Sequence, residues 1–328
     1  MSTHSYGTGP CRPVLVCAPL GDRSADAVIE ALGRREVPVA RIDPGVDFPL
    51  GSTLSACFDP GRGMTGVLET TSRRVLLDAV RAVYHRQATD YGPAFTHLSD
   101  QDALFAVAQA RHGLGGVLAA LPCLHVNHPH AATAASYKPV GLAAALRVGL
   151  SVPPTLITSD PEAARAFAKR HGPIVYKVLR TVRYRDPDDR PLTVWTTAVD
   201  PDDIDDAVAG TAHLFQARVD AVADLRVTFV GGRMFVARID SGLLDWRSDY
   251  DRHRYDVVDL PEPVAAAVTR YMRDQRLCYG ALDLAVTSSG EHLFYECNPL
   301  GRYGWIEAAT GMPISAAIAD LLRNGSPP

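Results

Sequence analysis

The chain has 328 residues, 47% hydrophobic and 21% charged, with a formal net charge of −4. So small a charge imbalance argues against nucleic acid or an anionic membrane as partner, and no apolar run is long enough to span a bilayer. The length allows two or three packed units with a sizeable core.

In chain order, MSTHSYGTGPCRP lacks the apolar core of a signal peptide and reads as a lead-in. PVLVCAPL (Pro13 to Leu20) is a buried strand, GDRSADAVIEALGRREV a helix with apolar spacing at Ala27, Val28, Ala31 and Leu32, and VARID a second strand. That order predicts a small α/β unit with a parallel sheet. FDPGRGMTG is a turn-rich connection. VLETTSRRVLLDAVRAVYHRQ mixes strands and a turn, and SDQDALFAVAQARHGLGGVLAAL is a helix capped by Ser99 or Asp100. A second unit begins near Pro122. It holds a lysine-bearing helix (Ala132 to Val148), the strand PTLIT and the helix SDPEAARAFAKRH. The strand PIVYKVL, a charged loop from Arg180 to Pro191 and the strand LTVWTTAV complete it. A third unit starts near Thr211. HLFQARV, DLRVTFVGGRMFVARID, ALDLAVTSSG and HLFYECNP are its strands, PEPVAAAVTRYMRDQRL its helix, and TGMPISAAIADLLRN closes it. VGGRMF carries a Gly-Gly hairpin signal. The expected units are therefore 1–122, 123–210 and 211–328, in an α/β (α+β) chain.

Six scattered cysteines (Cys11, Cys17, Cys57, Cys123, Cys278, Cys297) form no CxxC and no zinc spacing, which predicts reduced thiols in a cytoplasmic protein.

The chemistry concentrates at a few charged positions. Asp283 interrupts an apolar strand, and burying a charge there is costly without a partner. Glu296 and Asn298 lie two apart at the end of the next strand, so they point the same way. If those strands form a hairpin, Asp283, Glu296 and Asn298 bring three oxygen donors together, a set suited to magnesium beside phosphates. The alternative is a solvated sheet face with paired charges. Only three lysines occur, Lys138, Lys169 and Lys177, against a background of arginine. Lys169 reads as solvated. Lys177 sits inside a core strand and Lys138 opens a helix before Pro139, positions that suggest phosphate or nucleobase contacts, with snorkelling at a strand edge as the plain alternative. Arg226 and Arg238 flank the Gly231-Gly232 turn and are expected on one face, steadying a transferring phosphoryl group. A cross-strand pair with Asp224 or Asp240 is the plain alternative. The loop with Arg180, Arg183, Arg185 and Arg190 would be a mobile basic cover or simply solvated. No Walker A, nucleophile elbow or kinase motif is present.

Lysine on a strand, arginine on a later strand and a D…E-x-N strand pair resemble the ATP-grasp superfamily. Beyond these, VNHPHAATAASYKPVGLAAALRVGLSVPPTLIT, PIVYKVL, LLDWRSDYD and ECNPLGRYGWIEAATGMPISAAIADLL are similar to the ATP-grasp peptide macrocyclases, the graspetide synthetases of microviridin type, and above all to their actinobacterial branch. The likeness covers nearly the whole chain and is weaker before about Arg81. It implies an ATP-grasp fold, with an N-terminal pre-ATP-grasp domain followed by central and C-terminal subdomains. ATP would lie between the last two. Lys138 and Lys177 would contact its phosphates and adenine side, with Gln216, Ala217 and Val219 as the hinge at adenine. Asp283, Glu296 and Asn298 would hold Mg2+, and Arg226 and Arg238 would face the phosphoryl group and acyl phosphate. The implied reaction phosphorylates an Asp or Glu side chain of a ribosomal precursor peptide. A Ser or Thr hydroxyl, or a Lys amine, then closes an ω-ester or ω-amide ring. A leader segment would dock on a homodimeric enzyme, near the Arg180 to Leu192 loop. The sequence departs from the family at Gly141 and Arg302, where glutamine is usual, and at Gly242, where glutamine is common. Two other readings share the same motifs: a ligase adding a free amino acid to a small acid or protein terminus, and a non-catalytic nucleotide- and leader-binding protein.

Overall fold

The computed structural model describes residues 4–5, 12–182, 184–249 and 253–325. Cys11, Arg183 and the Tyr250-Asp251 end of LLDWRSDYD lie outside them. Near the N-terminus, four parallel strands run in the order Val39–Ile42, Val14–Cys17, Ala82–His85, Leu124–Val126. The helix Arg23–Gly33 buries Ala25, Val28, Ala31 and Leu32 and is capped by the Asp22 carboxylate, which accepts from the Ala25 backbone N–H. The helix Asp100–Ala119 is capped by Ser99. FDPGRGMTG turns out to be mostly strand: Ser52–Asp59 and Gly63–Thr70 pair across a short turn in a separate antiparallel sheet. Cys57 is exposed on it, whereas Cys17 and Cys297 are buried.

The expected single helix from Ala132 to Val148 breaks at Ser136-Tyr137 into Pro129–Ala135 and Lys138–Val148, so Lys138 opens the second helix. The central sheet has the order Thr197–Val199, Ile174–Lys177, His213–Ala217, Thr155–Thr158. His213–Ala217, read above as the start of the third unit, therefore hydrogen-bonds within the second, and the chain changes sheets after Ala217. LTVWTTAV is not one strand. Its first residue joins a two-stranded ribbon, Tyr184–Arg185 with Pro191–Leu192, and Thr197–Val199 joins the central sheet. Only a small apolar cluster supports this sheet, built from Ala164, Ala168, Ile174, Ile204, Val208 and Phe215.

The C-terminal sheet runs Arg254–Val257, Arg233–Asp240, Ala221–Val230, Tyr279–Thr287, His292–Asn298, antiparallel throughout. Gly231 and Gly232 both have positive φ (53° and 89°), as a tight two-residue hairpin turn requires. One face of the sheet packs on the helices Lys138–Val148 and Glu262–Asp274, with Val227, Val268, Tyr271 and Leu282 fully buried. Val227, Val268 and Leu282 each contribute about 1.5–3 kcal/mol by leaving water. The last helix, Ile314–Asn324, packs against the first, Arg23–Gly33, and Arg35 pairs with Asp320 at 2.7 Å. The two ends of the chain thus share one core, and the sheet that carries the acidic residues is anchored on both sides.

Candidate active site

A cavity of about 1140 Å³ opens between the central and C-terminal sheets. It exceeds the roughly 300–1,000 Å³ of a small-molecule pocket, so it has room for a nucleotide and part of a second substrate. Lys138, Lys177, Gln216, Asp283, Glu296 and Asn298 line it, as do Ala217 and Val219.

The hairpin expected from sequence is present: Asp283 is directly opposite Glu296, and Ala281 opposite Asn298. A bulge follows immediately, between Asp283 and Leu284, and re-aims the strand beside the acids. Gly301 makes the tight return after Asn298. A Cβ there would lie 2.4 Å from the Ala281 Cβ and 3.1 Å from Arg226 Nη2, so only glycine lets the NPLG segment fold onto the strand. Asn127 fixes the same corner from the first sheet. Its Nδ2 donates to the carbonyls of Tyr279 (2.7 Å) and Pro299 (2.9 Å), and its Oδ1 accepts from the N–H groups of Cys278 and Tyr279.

The charges are interlocked. Lys138 Nζ lies 2.5 Å from Glu296 Oε2, and Arg247 Nη1 3.4 Å from Glu296 Oε1. Burial would raise the Glu296 carboxyl, but Lys138, Arg247 and Lys177 together hold it well below the usual carboxylate range. Arg226 donates from Nη1 to Asp283 Oδ1 (2.8 Å) and from Nη2 to the Arg302 carbonyl (3.1 Å). Its Nε is buried and has no partner among the described residues. Lys177 donates to Gln216 Oε1 at 2.7 Å, and its ammonium stands 3.8 Å from the centre of the Tyr295 ring. Gln216 in turn donates to Thr155 Oγ1 at 2.8 Å. Burial pushes the Lys177 ammonium down to about 8, against the pull of Glu296. Asp224, also on the wall, is raised to about 7, first by burial and then by Asp283.

Arg238 does not belong to this set. The hairpin register pairs it with Leu225, while Arg226 pairs with Ala237, so the two arginines point to opposite faces of the sheet. Arg238 contacts Asp240 at 2.9 Å and lines neither the cavity nor its side recess. The second arginine at the acids is instead Arg247 of the DWR segment. Sequence reading gave that segment no site role, because it lies in a loop with no periodicity. Asp245 accepts from Arg247 Nε (2.8 Å) and Nη2 (2.9 Å), and from the Thr196 N–H (3.1 Å) in the central unit. Burial opposes its ionisation, yet Arg247 holds Asp245 down at about 2. In the charged loop, Arg185 and Arg190 are paired with Asp189, Asp186 and Asp188, and Arg180 lines the cavity.

Among the described residues no group of three or more His, Cys, Asp or Glu forms a metal cluster. The candidate donors are two carboxylates and an amide. Hard oxygen donors, already matched by cationic side chains, fit Mg2+ at that point.

The chain resembles solved structures along its whole length. A RiPP-associated ATP-grasp ligase from Chryseobacterium gregarium, in complex with ADP and a leader and core peptide, is 26% identical with a TM-score of 0.89. The match covers 96% of this chain and 98% of that one. The chain is an ATP-grasp ligase, similar over its whole length to RiPP-associated ligases and macrocyclases of that fold. The macrocyclase MdnC from Microcystis aeruginosa MRC, bound with precursor peptide MdnA, matches the ligase at 25% identity and a TM-score of 0.84, over 95% and 99% of the two chains. MdnB from the same source is 26% identical with a TM-score of 0.79, over 96% and 100%. No protein-family model and no curated protein matches the ligase. No helix among its described residues is long and apolar enough to cross a membrane.

Proposed function

We propose that the ligase uses ATP to activate Asp or Glu side chains of a ribosomal precursor peptide and closes ω-ester or ω-amide rings with Ser, Thr or Lys side chains. The observation that carries this reading is Arg226. It is buried beside the acids with one guanidinium N–H unspent, and an unpaired buried donor is costly unless a ligand oxygen completes it. A peptide carboxylate and the phosphoryl group it receives supply such oxygens.

Gln216, Ala217 and Val219 would border adenine, with Lys177 and Lys138 toward the phosphates. Asp283, Glu296 and Asn298 would hold Mg2+, which when bound offsets charge on the transferring phosphoryl group. Arg226 would orient the peptide carboxylate and Arg247 would face the acyl phosphate, the part first expected of Arg238. A peptide oxygen bonds to the terminal phosphorus of ATP as the bond to ADP breaks. A hydroxyl or amine of the same peptide then attacks the carbonyl carbon, phosphate leaves, and the nucleophile's proton is lost. Closure of the central unit over the cavity excludes water that would otherwise consume the acyl phosphate. Holding both side chains on one peptide favours the ring. The MdnC structure with MdnA and the Chryseobacterium ligase with leader and core peptide support the peptide as partner.

The test is intact-mass spectrometry of the peptide encoded beside the gene, incubated with ATP, magnesium and the ligase. Loss of one water per bond with release of ADP is expected, and Glu296→Gln should abolish it. An unchanged peptide, with ATP consumed only when free amino acids are added, would overturn the proposal.

A further inference from the structure

Beyond the acids the main cavity continues into a recess of about 340 Å³. It shares Gln87, Asp283, Glu296 and Asn298 with the cavity, and Arg226, Trp305 and Arg302 extend its wall. Trp246 also faces it, with its ring centre 5.1 Å from that of Trp305, so the recess has a rigid aromatic side.

The recess holds more guanidinium than its own carboxylates use. Arg226 keeps its buried Nε unpartnered. Arg247 is committed to Asp245 and Glu296. The Arg302 side chain is exposed and has no hydrogen bond or ion pair among the described residues. Yet its backbone is pinned, since the Arg302 carbonyl accepts from Arg226 Nη2 at 3.1 Å. Gly301, just before it, is locked against Ala281. The free guanidinium therefore starts from a fixed root beside Arg226, at the mouth of the same recess.

On the proposed reading, Arg226 takes the carboxylate to be activated. We infer that Arg302 takes a second carboxylate of the same peptide, an Asp or Glu flanking the activated one, so that the recess reads a pair of acids rather than one. An amide is a weaker partner for Arg302, because it carries no charge and its NH2 end meets a group that offers only donors.

The test uses the precursor peptide encoded beside the gene, with each acidic residue replaced singly by its amide, against wild type, Arg302→Gln and Arg302→Lys. Both KM from ring closure and Kd from anisotropy of labelled peptide are measured. In wild type, one replacement other than that of the bonded acid should raise KM and Kd about tenfold with kcat held, the loss expected for one charge-assisted hydrogen-bonded pair. In Arg302→Gln the intact peptide should show that same rise and the replacement should add nothing, while Arg302→Lys recovers part of it. The inference is overturned if Arg302→Gln leaves KM and Kd unchanged, or if the two losses simply multiply. A wild type that binds the peptide but removes no water would overturn the ring-closing reading instead, and the Kd cycle would still decide whether Arg302 pairs with the second acid.

Discussion

Lys177 gives the sharpest test of the nucleotide assignment. Without ligand its ammonium is reluctant, pushed by burial from 10.5 to about 8. A triphosphate beside it favours the charged form, so binding raises the pKa and takes up a proton whenever the free lysine is neutral. The sign follows: affinity is full below about pH 8 and falls above it. If the bound pKa returns to 10.5, affinity drops about tenfold between pH 7 and pH 9. The assay is calorimetric titration with a non-hydrolysable ATP analogue and magnesium at pH 7, 8 and 9, in buffers of different ionisation enthalpy to count protons. Lys177→Arg stays charged throughout and should flatten the profile, and Lys177→Met should be weak and flat. A wild-type affinity that does not change from pH 7 to pH 9, or a Lys177→Arg profile as steep as wild type, would refute the reasoning.

Arg226→Ala should lower stability by about 3–5 kcal/mol, because it strands Asp283 in a buried position, and ring closure should be lost. Arg238→Ala removes only a half-exposed pair with Asp240 and should cost under about 1 kcal/mol in thermal unfolding while peptide modification continues. Gly301→Ala places a methyl against the Ala281 Cβ and Arg226, and should lower stability by about 1–3 kcal/mol along with kcat. Asp245→Asn weakens both the grip on Arg247 and the tie to Thr196, so kcat/KM should fall about 10–100-fold and Tm should fall too, since the carboxylate replaced is buried and held ionised.

Much of the site was legible because it rests on local rules. Period-two alternation put Glu296 and Asn298 on one side of a strand, and the Gly-Gly turn marked a second hairpin, Ala221–Val230 with Arg233–Asp240. Arg238 was misplaced by neglecting what that turn implies. A two-residue turn pairs even-numbered residues of one strand with odd-numbered residues of the other, here Arg226 with Ala237. Arg226 and Arg238 are both even, so they had to face apart. Other features are non-local and leave no periodic trace. His213–Ala217 joined the central sheet because its partners, Ile174–Lys177 and Thr155–Thr158, precede it in sequence. The Lys138–Glu296 pair spans 158 positions, and Asn127 reaches Cys278 and Tyr279 from another sheet.

The perturbed titrations of Lys177 and Glu296 have one origin. Lys138, Arg226 and Arg247 face Glu296, Asp283 and Asp245, so the unliganded cluster balances its own charge. Glu296 is held ionised by two cations in contact and one nearby, and no proton has to leave before it can serve as a ligand. Lys177 stands outside those pairs. Among the described residues its contacts are an amide oxygen and a ring face, and burial with the repulsion of Lys138 and Arg247 outweighs the pull of Glu296. A polyphosphate entering the cavity brings the negative charge that Lys177 lacks. It also offers Lys138 an alternative to Glu296, which frees a carboxylate oxygen at the position where the metal set converges. Nucleotide and metal should therefore bind with positive coupling, since each relieves a charge that the other requires to be free.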